Sequence, residues 1–387
     1  MRIIKTISLF VFTFHFSLFT FSQSDTCKLR ISLLTCSPGE ELYSAWGHTA
    51  IRVTDSVSGT DIVFNYGTFD DTDPLFLANF TKGLMVYALS AYPFSDFVKE
   101  YQYYGRGVIE QTLSLSCDDK VRLFNALQEN ARNENRFYNY YFHTDNCTSR
   151  ARDMIVKTTG NTIAFKSIIP FPPPTYRNLI HIYLDKAGQH WNKLGIDILL
   201  GANLDKKVTN DQAMFLPDYL MNAFDSASIS NHPLVSSTQT VLSIPVNQQK
   251  TGGLVTPLVI LSLISLLVFV LTIYNNNAAK KFLAVFDTIF FLMLGLLGVL
   301  LITLWIIRID DVCRNNYNLL WALPTHLPIA FVITRNKKWI RVYLGFVLLI
   351  SILLLASWFW FPQQFNTAVI PILVILIARC WQRRSQA

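Results

Sequence analysis

Five apolar runs crowded into the last third of the chain constrain its fold more than any other feature. The runs span residues 253–274, 282–307, 319–334, 342–361 and 367–380. Such runs are typical of helices that cross a bilayer, although the last is short and Pro324 and Pro328 interrupt the third. With 51% hydrophobic and only 15% charged residues, the chain is too apolar for an ordinary soluble protein. The sequence predicts an all-α membrane domain of about five transmembrane helices at residues 253–382.

The charges between the apolar runs predict how this domain is oriented. Segments 275–281 and 335–341 and the tail from Arg379 each carry at least two Lys or Arg residues. The other two segments between runs are not basic. In 308–314 the two arginines are offset by two aspartates, and 362–366 contains no Lys or Arg. Because basic loops stay in the cytoplasm, we expect the N-terminal domain outside and the C-terminus inside. The net charge of +7 therefore indicates membrane topology rather than nucleic-acid binding.

The remainder of the chain divides into four parts. A basic start followed by an apolar core predicts a secretory signal peptide over residues 1–23, with a retained signal anchor as the alternative. Residues 24–225 have the size and composition of one folded domain, which is expected outside the cytoplasm. The Ser-, Thr-, Gln- and Asn-rich segment 226–252 predicts a linker up to the membrane, and 383–387 a cytoplasmic tail.

Both strands and helices are expected in the domain before the membrane. Alternating apolar residues predict strands over 28–34, 49–53 and 61–66. Helical periodicity predicts a helix over 118–131, with Ser116 as its cap, and another from Cys147. The fold class of this domain is therefore α+β.

One histidine and one cysteine suggest the chemistry. Cys147 follows Asp145 and Asn146, two good N-cap residues, so its thiol is expected in the first turn of a helix, where the helix dipole favours thiolate. His48 begins a predicted strand, and an imidazole brought beside that thiol would complete a nucleophilic Cys-His pair. In the alternative interpretation, Cys147 is a small buried residue and His48 a hydrogen-bonded histidine of the core.

An imidazole base also needs a partner that orients it. Asn65 and Asp61 on the following strand are the candidates, and Asn65 is favoured because it alternates with two packed aromatic residues. His143, four residues before the cysteine, is an alternative base. The substrate-binding or oxyanion candidates, besides backbone N–H groups at the helix start, are Asn146, Tyr43, Tyr66, Asp145 and Arg150. Asp145 has a competing interpretation as a helix cap.

His326 is the ionisable residue that stands out within the apolar runs. It lies near two prolines in the third run, and an intramembrane ionisable group is a default site candidate. A polar contact between helices explains it equally well.

Three cysteines of the outer domain could form a disulfide in an oxidising compartment. Cys27 and Cys36 flank a predicted strand, which would hold them roughly 30 Å apart. A disulfide needs Cα atoms within about 7 Å, so this pair is excluded if the strand is correct. A bond between Cys36 and Cys117 is left open.

Six stretches of the chain, taken in order, resemble the Lnb-type lipoprotein N-acyltransferases of Bacteroidota. They are Leu-Leu-Thr-Cys-Ser-Pro-Gly (33–39), Gly-His-Thr-Ala-Ile-Arg-Val (47–53), Phe-Asn-Tyr-Gly-Thr-Phe-Asp (64–70), Asp-Asn-Cys-Thr-Ser-Arg-Ala-Arg-Asp (145–153), Ala-Met-Phe-Leu-Pro-Asp-Tyr-Leu (213–220) and Asn-Tyr-Asn-Leu-Leu-Trp-Ala-Leu-Pro (316–324). More broadly, a strand His far upstream of a helix-start Cys resembles the permuted papain-like fold of NlpC-type proteins and lecithin:retinol acyltransferases.

The resemblance implies an α+β, permuted papain-like periplasmic domain, followed by the five-helix membrane domain, in the inner membrane. It implies an acyltransferase that moves an acyl chain from a phospholipid, through a Cys147 thioester with His48 as base, to the N-terminal amine of a diacylated lipoprotein. No cofactor, metal or nucleic acid is expected. The alternatives are a membrane-anchored cysteine peptidase or amidase acting on cell-wall peptides, and a non-catalytic assembly factor.

Overall fold

The computed structural model describes residues 27–69, 74–160, 162–243, 253, 255–274, 276–335 and 337–385. The expected signal peptide lies outside these residues. The strands are β1 (Leu29–Cys36), β2 (His48–Asp55), β3 (Thr60–Thr68), β4 (Val86–Pro93), β5 (Val108–Leu113), β6 (Phe137–Asn139), β7 (Ile163–Ala164), β8 (Ser228–Ile229), β9 (His232–Pro233) and β10 (Val235–Leu242). Seven of them form one antiparallel sheet in the order β10-β5-β1-β2-β3-β4-β6, and β7, β8 and β9 form a small second sheet.

Helices cover the sheet and continue into the membrane domain. In the first domain they are α1 (Phe76–Lys82), α2 (Phe94–Tyr103), α3 (Cys117–Asn130), α4 (Cys147–Thr158), α5 (Tyr176–Lys186), α6 (His190–Leu199), α7 (Asn210–Ala213) and α8 (Pro217–Ser226). In the second they are α9 (Pro257–Tyr274), α10 (Asn277–Ile307), α11 (His326–Ala330), α12 (Lys338–Ala356) and α13 (Val369–Ser385).

The two faces of the main sheet are both buried, and this explains the near-continuous apolar stretches of its central strands. Ile51 and Phe64, paired across β2 and β3, point to the face covered by α3, α4 and α8. Ala50 and Val63 point to the opposite face, where α2 packs. The predicted strands near 28–34, 49–53 and 61–66 and the helix near 118–131 are confirmed. The side chain of Ser116 caps α3 as expected, accepting a hydrogen bond from the Asp119 N–H.

The segment expected to be a linker from residue 226 is folded over most of its first half. Strand β10 pairs with β5 at the edge of the main sheet, so that domain extends at least to Leu242. The prediction was wrong here because an edge strand with a solvated face needs few apolar residues, and its polar composition resembles that of a loop.

The disulfide joins Cys27 and Cys117, whose Cα atoms lie 5.5 Å apart. The alternative of a Cys36–Cys117 bond is therefore wrong, whereas the exclusion of Cys27–Cys36 is confirmed. Strand β1 carries the chain from one edge of the domain to the other, so Cys36 ends opposite His48 as a buried free thiol. Cys27, two residues before β1, lies beside the first residue of α3, Cys117.

Three helices of the second domain, α9, α10 and α12, are long and apolar enough to cross a membrane. The third predicted span, 319–334, is not one helix, because the chain breaks around its prolines into a 3-10 turn, Tyr317–Leu320, and the short α11. The fifth corresponds to α13, which has 17 residues.

The first domain docks on two loops of the membrane domain, 308–318 and 362–366. Asp197 of α6 accepts a hydrogen bond from the Asn366 side chain at 2.8 Å, and its backbone oxygen accepts one from Asn318 at 2.9 Å. The same carboxylate pairs with Arg177 of α5 at 2.9 Å, and both side chains are buried. The backbone N–H of Gly201 reaches the Val312 oxygen at 2.8 Å. These contacts fix the domain, and the site within it, against one end of the helical bundle.

Candidate active site around Cys147 and His48

Cys147 occupies the first turn of α4. The Asn146 side chain caps this helix by accepting hydrogen bonds from the N–H groups of Thr148 and Ser149, and the Ser149 hydroxyl accepts one from the Asn146 N–H. One face of α4, with Ala151 and Ile155, is buried against the sheet. The thiol is thus held at the positive end of the helix dipole.

His48 comes to the thiol from the sheet. It is the first residue of β2. Because side chains alternate along a strand, His48 and Asn65 of β3 both point to the face opposite the Ile51–Phe64 pair. His48 Nε2 lies 2.5 Å from Asn65 Oδ1, and Asn65 Nδ2 donates to the Tyr92 hydroxyl at 2.9 Å. This second bond fixes the orientation of the amide, so the imidazole donates from Nε2. The other ring nitrogen, Nδ1, is left for the Cys147 sulfur, with which the ring hydrogen-bonds.

The surroundings of the sulfur favour its ionised form. Burial opposes ionisation, but the charge of His48 and its hydrogen bond, the Thr49 N–H and the Thr148 hydroxyl lower the pKa of the Cys147 thiol to about 7. The Thr148 oxygen lies 3.7 Å from the sulfur. Burial also disfavours the imidazolium, yet the thiolate and the hydrogen bonds to Cys147 and Asn65 together raise the pKa of His48. A thiolate–imidazolium pair at neutral pH is the state needed for nucleophilic attack.

Gly67 lines the same pair. Its φ of 104° is one that residues with a side chain rarely adopt, and it lies at a register shift in β3. A Cβ atom on Gly67 would lie 3.4 Å from His48 Cε1 and 3.6 Å from Cys147 Cβ. Glycine therefore keeps open the space directly beside the two side chains.

The other predicted site residues have structural partners. Both side-chain N–H donors of Asn146 go to backbone oxygens, those of Phe142 and Phe215, each at 2.9 Å. Asp145 and Arg150 form a two-pronged ion pair at 2.6 and 2.7 Å. These contacts hold the loop before α4 and do not direct a free donor at the sulfur.

The two predicted tyrosines are placed differently from each other. Tyr66 is buried and donates from its hydroxyl to Asn130 Oδ1 at 2.6 Å. Tyr43 is 67% exposed and meets the ring of Phe69 edge-on, with centroids 6.3 Å apart.

The alternative base, His143, and the membrane-site candidate, His326, both lie elsewhere. His143 packs edge-on against Tyr176 and borders a cavity of about 320 Å³, which Lys206 and Asp310 also line. Burial lowers its pKa. His326 is fully buried among the membrane helices, within hydrogen-bond distance of the Tyr343 hydroxyl at 2.7 Å and the Trp321 oxygen at 3.2 Å. Of the histidines considered, the structure brings His48 to Cys147, and the bonding of His326 matches its interpretation as a helix contact.

Two family models match the chain. The Lnb N-terminal periplasmic domain matches residues 16–181, and the Lnb transmembrane domain matches residues 248–386. The chain is an Lnb family protein. Comparisons with curated proteins and with solved structures found no match.

Family membership sets the general class of this Lnb-type chain. It is a membrane protein with a periplasmic N-terminal domain, and the family indicates an enzyme of lipoprotein maturation. The matched domain contains the whole Cys147–His48–Asn65 cluster.

Sequence reasoning missed four groups around the sulfur. They are the Thr49 N–H, the Thr148 hydroxyl, the Tyr92 hydroxyl behind Asn65, and Gly67. Thr49 and Thr148 follow the two key residues directly in the chain, so they could have been found as neighbours. Tyr92 is brought in by the pairing of β4 with β3, which the sequence does not display.

Proposed function

We propose that this protein is a lipoprotein N-acyltransferase that takes its acyl chain from a membrane phospholipid. The observation that carries the proposal is the placement of an activated Cys147–His48 pair in a domain docked on the loops of a membrane domain. The proposal requires this thiol to reach acyl chains held at the membrane surface. Membership of the Lnb family supports lipoprotein maturation as the setting.

In the first half-reaction, the Cys147 thiolate attacks the carbonyl carbon of a phospholipid acyl ester. A carbon–sulfur bond forms, the ester carbon–oxygen bond breaks, and the His48 imidazolium gives its Nδ1 proton to the leaving glycerol oxygen. A lysophospholipid departs and an acyl thioester stays on Cys147. Asn65 keeps the ring in the orientation this transfer needs.

In the second half-reaction, the α-amine of a lipoprotein's N-terminal diacylglyceryl-cysteine attacks the thioester. A carbon–nitrogen bond forms and the carbon–sulfur bond breaks, while His48 accepts the proton that the amine loses. The thiolate–imidazolium pair is thereby restored. Because an amide is more stable than a thioester, the transfer runs downhill on the two substrates alone.

The negative oxygen formed in each step needs hydrogen-bond donors. The Cys147 backbone N–H lies at the start of α4, where N–H groups have no partner within the helix, and in this mechanism it donates a hydrogen bond to that oxygen. The next two N–H groups are taken by the Asn146 cap. A permuted papain-like mode of catalysis, with the helix carrying Cys and the sheet carrying His, is consistent with this arrangement.

The contacts also support five membrane crossings, with the C-terminus on the side opposite the first domain. We propose that the membrane is the inner membrane and that the C-terminus lies in the cytoplasm. Asn318 and Asn366 both contact Asp197, so the two loops that hold them lie on the side of the first domain. In the sequence, α12 lies between the loops 308–318 and 362–366, and it crosses the membrane toward loop 362–366. The broken segment 319–334 must therefore carry the chain from loop 308–318 to the opposite side of the membrane, where α12 begins. On that side α13 ends, where Arg379 pairs with Asp287 of α10 at 2.7 Å.

The test is mass spectrometry of N-terminal lipopeptides from a host that lacks its own N-acyltransferase. The host expresses the wild-type chain, Cys147→Ala, or the control Cys380→Ala, which removes a free thiol of the membrane domain. We expect one additional acyl chain on the lipoprotein amine with the wild type and the control, and none with Cys147→Ala present at equal membrane abundance. Lipopeptides that stay diacylated with the wild type would overturn the proposal and direct the search to muropeptide hydrolysis.

A further inference from the structure

A row of five aromatic side chains runs from the end of a membrane helix to Cys147. Its members, called the aromatic row below, are Phe80, Phe76, Phe69, Tyr87 and Tyr140. Neighbouring rings in this order are stacked, with centroids 6.4, 6.0, 4.9 and 4.2 Å apart and interplanar angles of 20–24°.

The inner end of the row packs against the same core cluster as the thiol. Tyr87, Tyr140 and Cys147 are partly buried together against the same core. Burial, followed by the charge of the Cys147 thiolate, raises the pKa of Tyr87 to about 12, and the pKa of Tyr140 is raised by the same two causes. An apolar ligand lying on these rings would therefore extend into the cluster on which the thiol packs.

The outer end of the row lies at the membrane. Arg308 is the residue directly after α10, and its guanidinium donates to the Phe80 backbone oxygen at 2.8 Å. The Ile309 N–H bonds to the Lys82 oxygen at 3.1 Å, so the C-terminal end of α1 rests on the end of a spanning helix. Phe80 is 49% exposed there, and the nearby Leu75 and Val86 are also exposed.

The proposed function requires an apolar path for the acyl chain from the bilayer to Cys147, and the aromatic row has the composition of such a path. An acyl chain that leaves the bilayer to reach a thiol in the outer domain loses free energy for every CH₂ group that becomes exposed to water. A continuous apolar wall between the membrane surface and the sulfur would keep the chain covered along this path. The five side chains of the row carry no formal charge at neutral pH, which suits an acyl chain and does not suit a peptide or a head group.

We propose that the aromatic row binds the acyl chain of the phospholipid donor, with its carbonyl carbon at Cys147 and its tail directed toward Phe80 and the bilayer. The proposal rests on the proposed function for the identity of the donor. It assigns to Phe76 and Phe80, which lie away from the reacting atoms, a role in holding the substrate.

The test uses full-length protein carrying Cys147→Ala, in vesicles of phosphatidylethanolamine and phosphatidylglycerol. A trace of the phosphatidylethanolamine has an acyl chain that ends in a diazirine, and photolabelled peptides are mapped by mass spectrometry. We expect label in peptides of α1 and β4, and its loss when Phe76 and Phe80 are both replaced by Ser. The matched control is Tyr103→Ser, an aromatic residue on α2 that is 84% exposed. Label confined to the membrane helices, or equal α1 and β4 labelling in the double Phe variant, would overturn the proposal.

A second measurement separates this proposal from the function on which it rests. With Cys147 intact, the Phe76→Ser/Phe80→Ser variant should transfer acyl chains roughly tenfold more slowly, whereas iodoacetamide should alkylate its Cys147 at the wild-type rate. An unchanged rate of acyl transfer in this variant would contradict the proposed role of the aromatic row in binding the donor. If the wild type itself transfers nothing, the proposed function fails, and the photolabelling experiment still decides whether lipid binds here.

Discussion

His48 Nε2 and the amide oxygen of Asn65 lie 2.5 Å apart, and this bond leaves the opposite ring nitrogen for Cys147. The Tyr92 hydroxyl holds the other end of the Asn65 amide at 2.9 Å. A neutral amide therefore sets the orientation of the imidazole, and among the residues that the structure describes no carboxylate is hydrogen-bonded to the ring. Asp61, the rival candidate, is engaged by Arg52 instead, with two bonds of 2.7 and 2.8 Å.

Replacing Asn65 by Ala should slow acyl transfer about ten- to a hundredfold, because a hydrogen bond to a charged ring contributes about 1.5–3 kcal/mol. The rate of appearance of triacylated lipopeptide measures this effect. Asp61→Ala serves as the control and should keep most of the activity. Equal losses in the two variants would show that the sheet, and not the bond to His48, is responsible.

The Cys147 thiol should react with iodoacetamide along a titration curve centred near pH 7. Its pKa is lowered to about 7, so below that pH the thiol gains a proton and the rate falls about tenfold per unit. Removing the imidazole in His48→Ala removes the charge and hydrogen bond that favour thiolate, so the midpoint should move to higher pH. The three other free cysteines are buried and should stay unlabelled. A midpoint that is the same with and without His48 would refute the pairing.

Gly67→Ala should lower activity more than its effect on folding explains. The left-handed backbone alone costs roughly 1–2 kcal/mol for a residue with a side chain. Gly59 provides a matched control, because its φ is 72° but nothing lies within 4 Å of its would-be Cβ. Both variants should lose similar amounts of thermal stability, and only Gly67→Ala should also slow transfer and thiol alkylation. Similar kinetic losses in both variants would mean that strain alone accounts for the effect.

The central strands, the capped helix α3 and the Cys147 helix start were predictable because their signals are local. Alternation in 49–53 and 61–66, and a cap directly before a periodic run, depend on neighbours in the chain. The same holds for the proximity of Asn65 to His48, since consecutive strands usually pair. These features give the core of the candidate site.

Features that depend on distant pairing were not predictable. Strand β10 joins the sheet beside β5 although its composition is polar, and Cys27 meets Cys117 only after β1 and α3 have folded. The aromatic row also assembles from the residue after β3, from α1, from β4 and from the segment after β6, four parts that do not share one periodic pattern. The proposed activity comes from the family resemblance, because residue spacing alone is compatible with both a transferase and a peptidase.

Loss of the Cys27–Cys117 disulfide should lower stability without changing the thiol chemistry. The bond closes a loop with a sequence separation of 90, and disulfides of this kind contribute about 2–4 kcal/mol. The Cys27→Ser/Cys117→Ser variant should therefore have a lower Tm, with alkylation of Cys147 unaffected. A reductant should lower the Tm of the wild type to that of the variant and leave the variant unchanged. Reductant sensitivity that persists in the variant would disprove the pairing.

The Asp197→Asn variant should slow acyl transfer, which depends on docking of the first domain, without slowing the reaction of the Cys147 thiol inside that domain. This buried carboxylate pairs with Arg177, and removing one partner of a buried pair costs about 3–5 kcal/mol. Because Asp197 also binds Asn366 at the membrane face, the loss should loosen the domain from the outer loops and slow acyl transfer.

Alkylation of Cys147, which needs only the first domain, should continue near the wild-type rate in this variant. The exposed pair of Asp96 with Lys99 provides the control, since Asp96→Asn should change stability by less than about 1 kcal/mol and transfer hardly at all. If alkylation and transfer fall together in Asp197→Asn, the charge network supports the fold of the thiol domain itself. If transfer alone falls, docking on the membrane loops is what brings the lipid to the thiol.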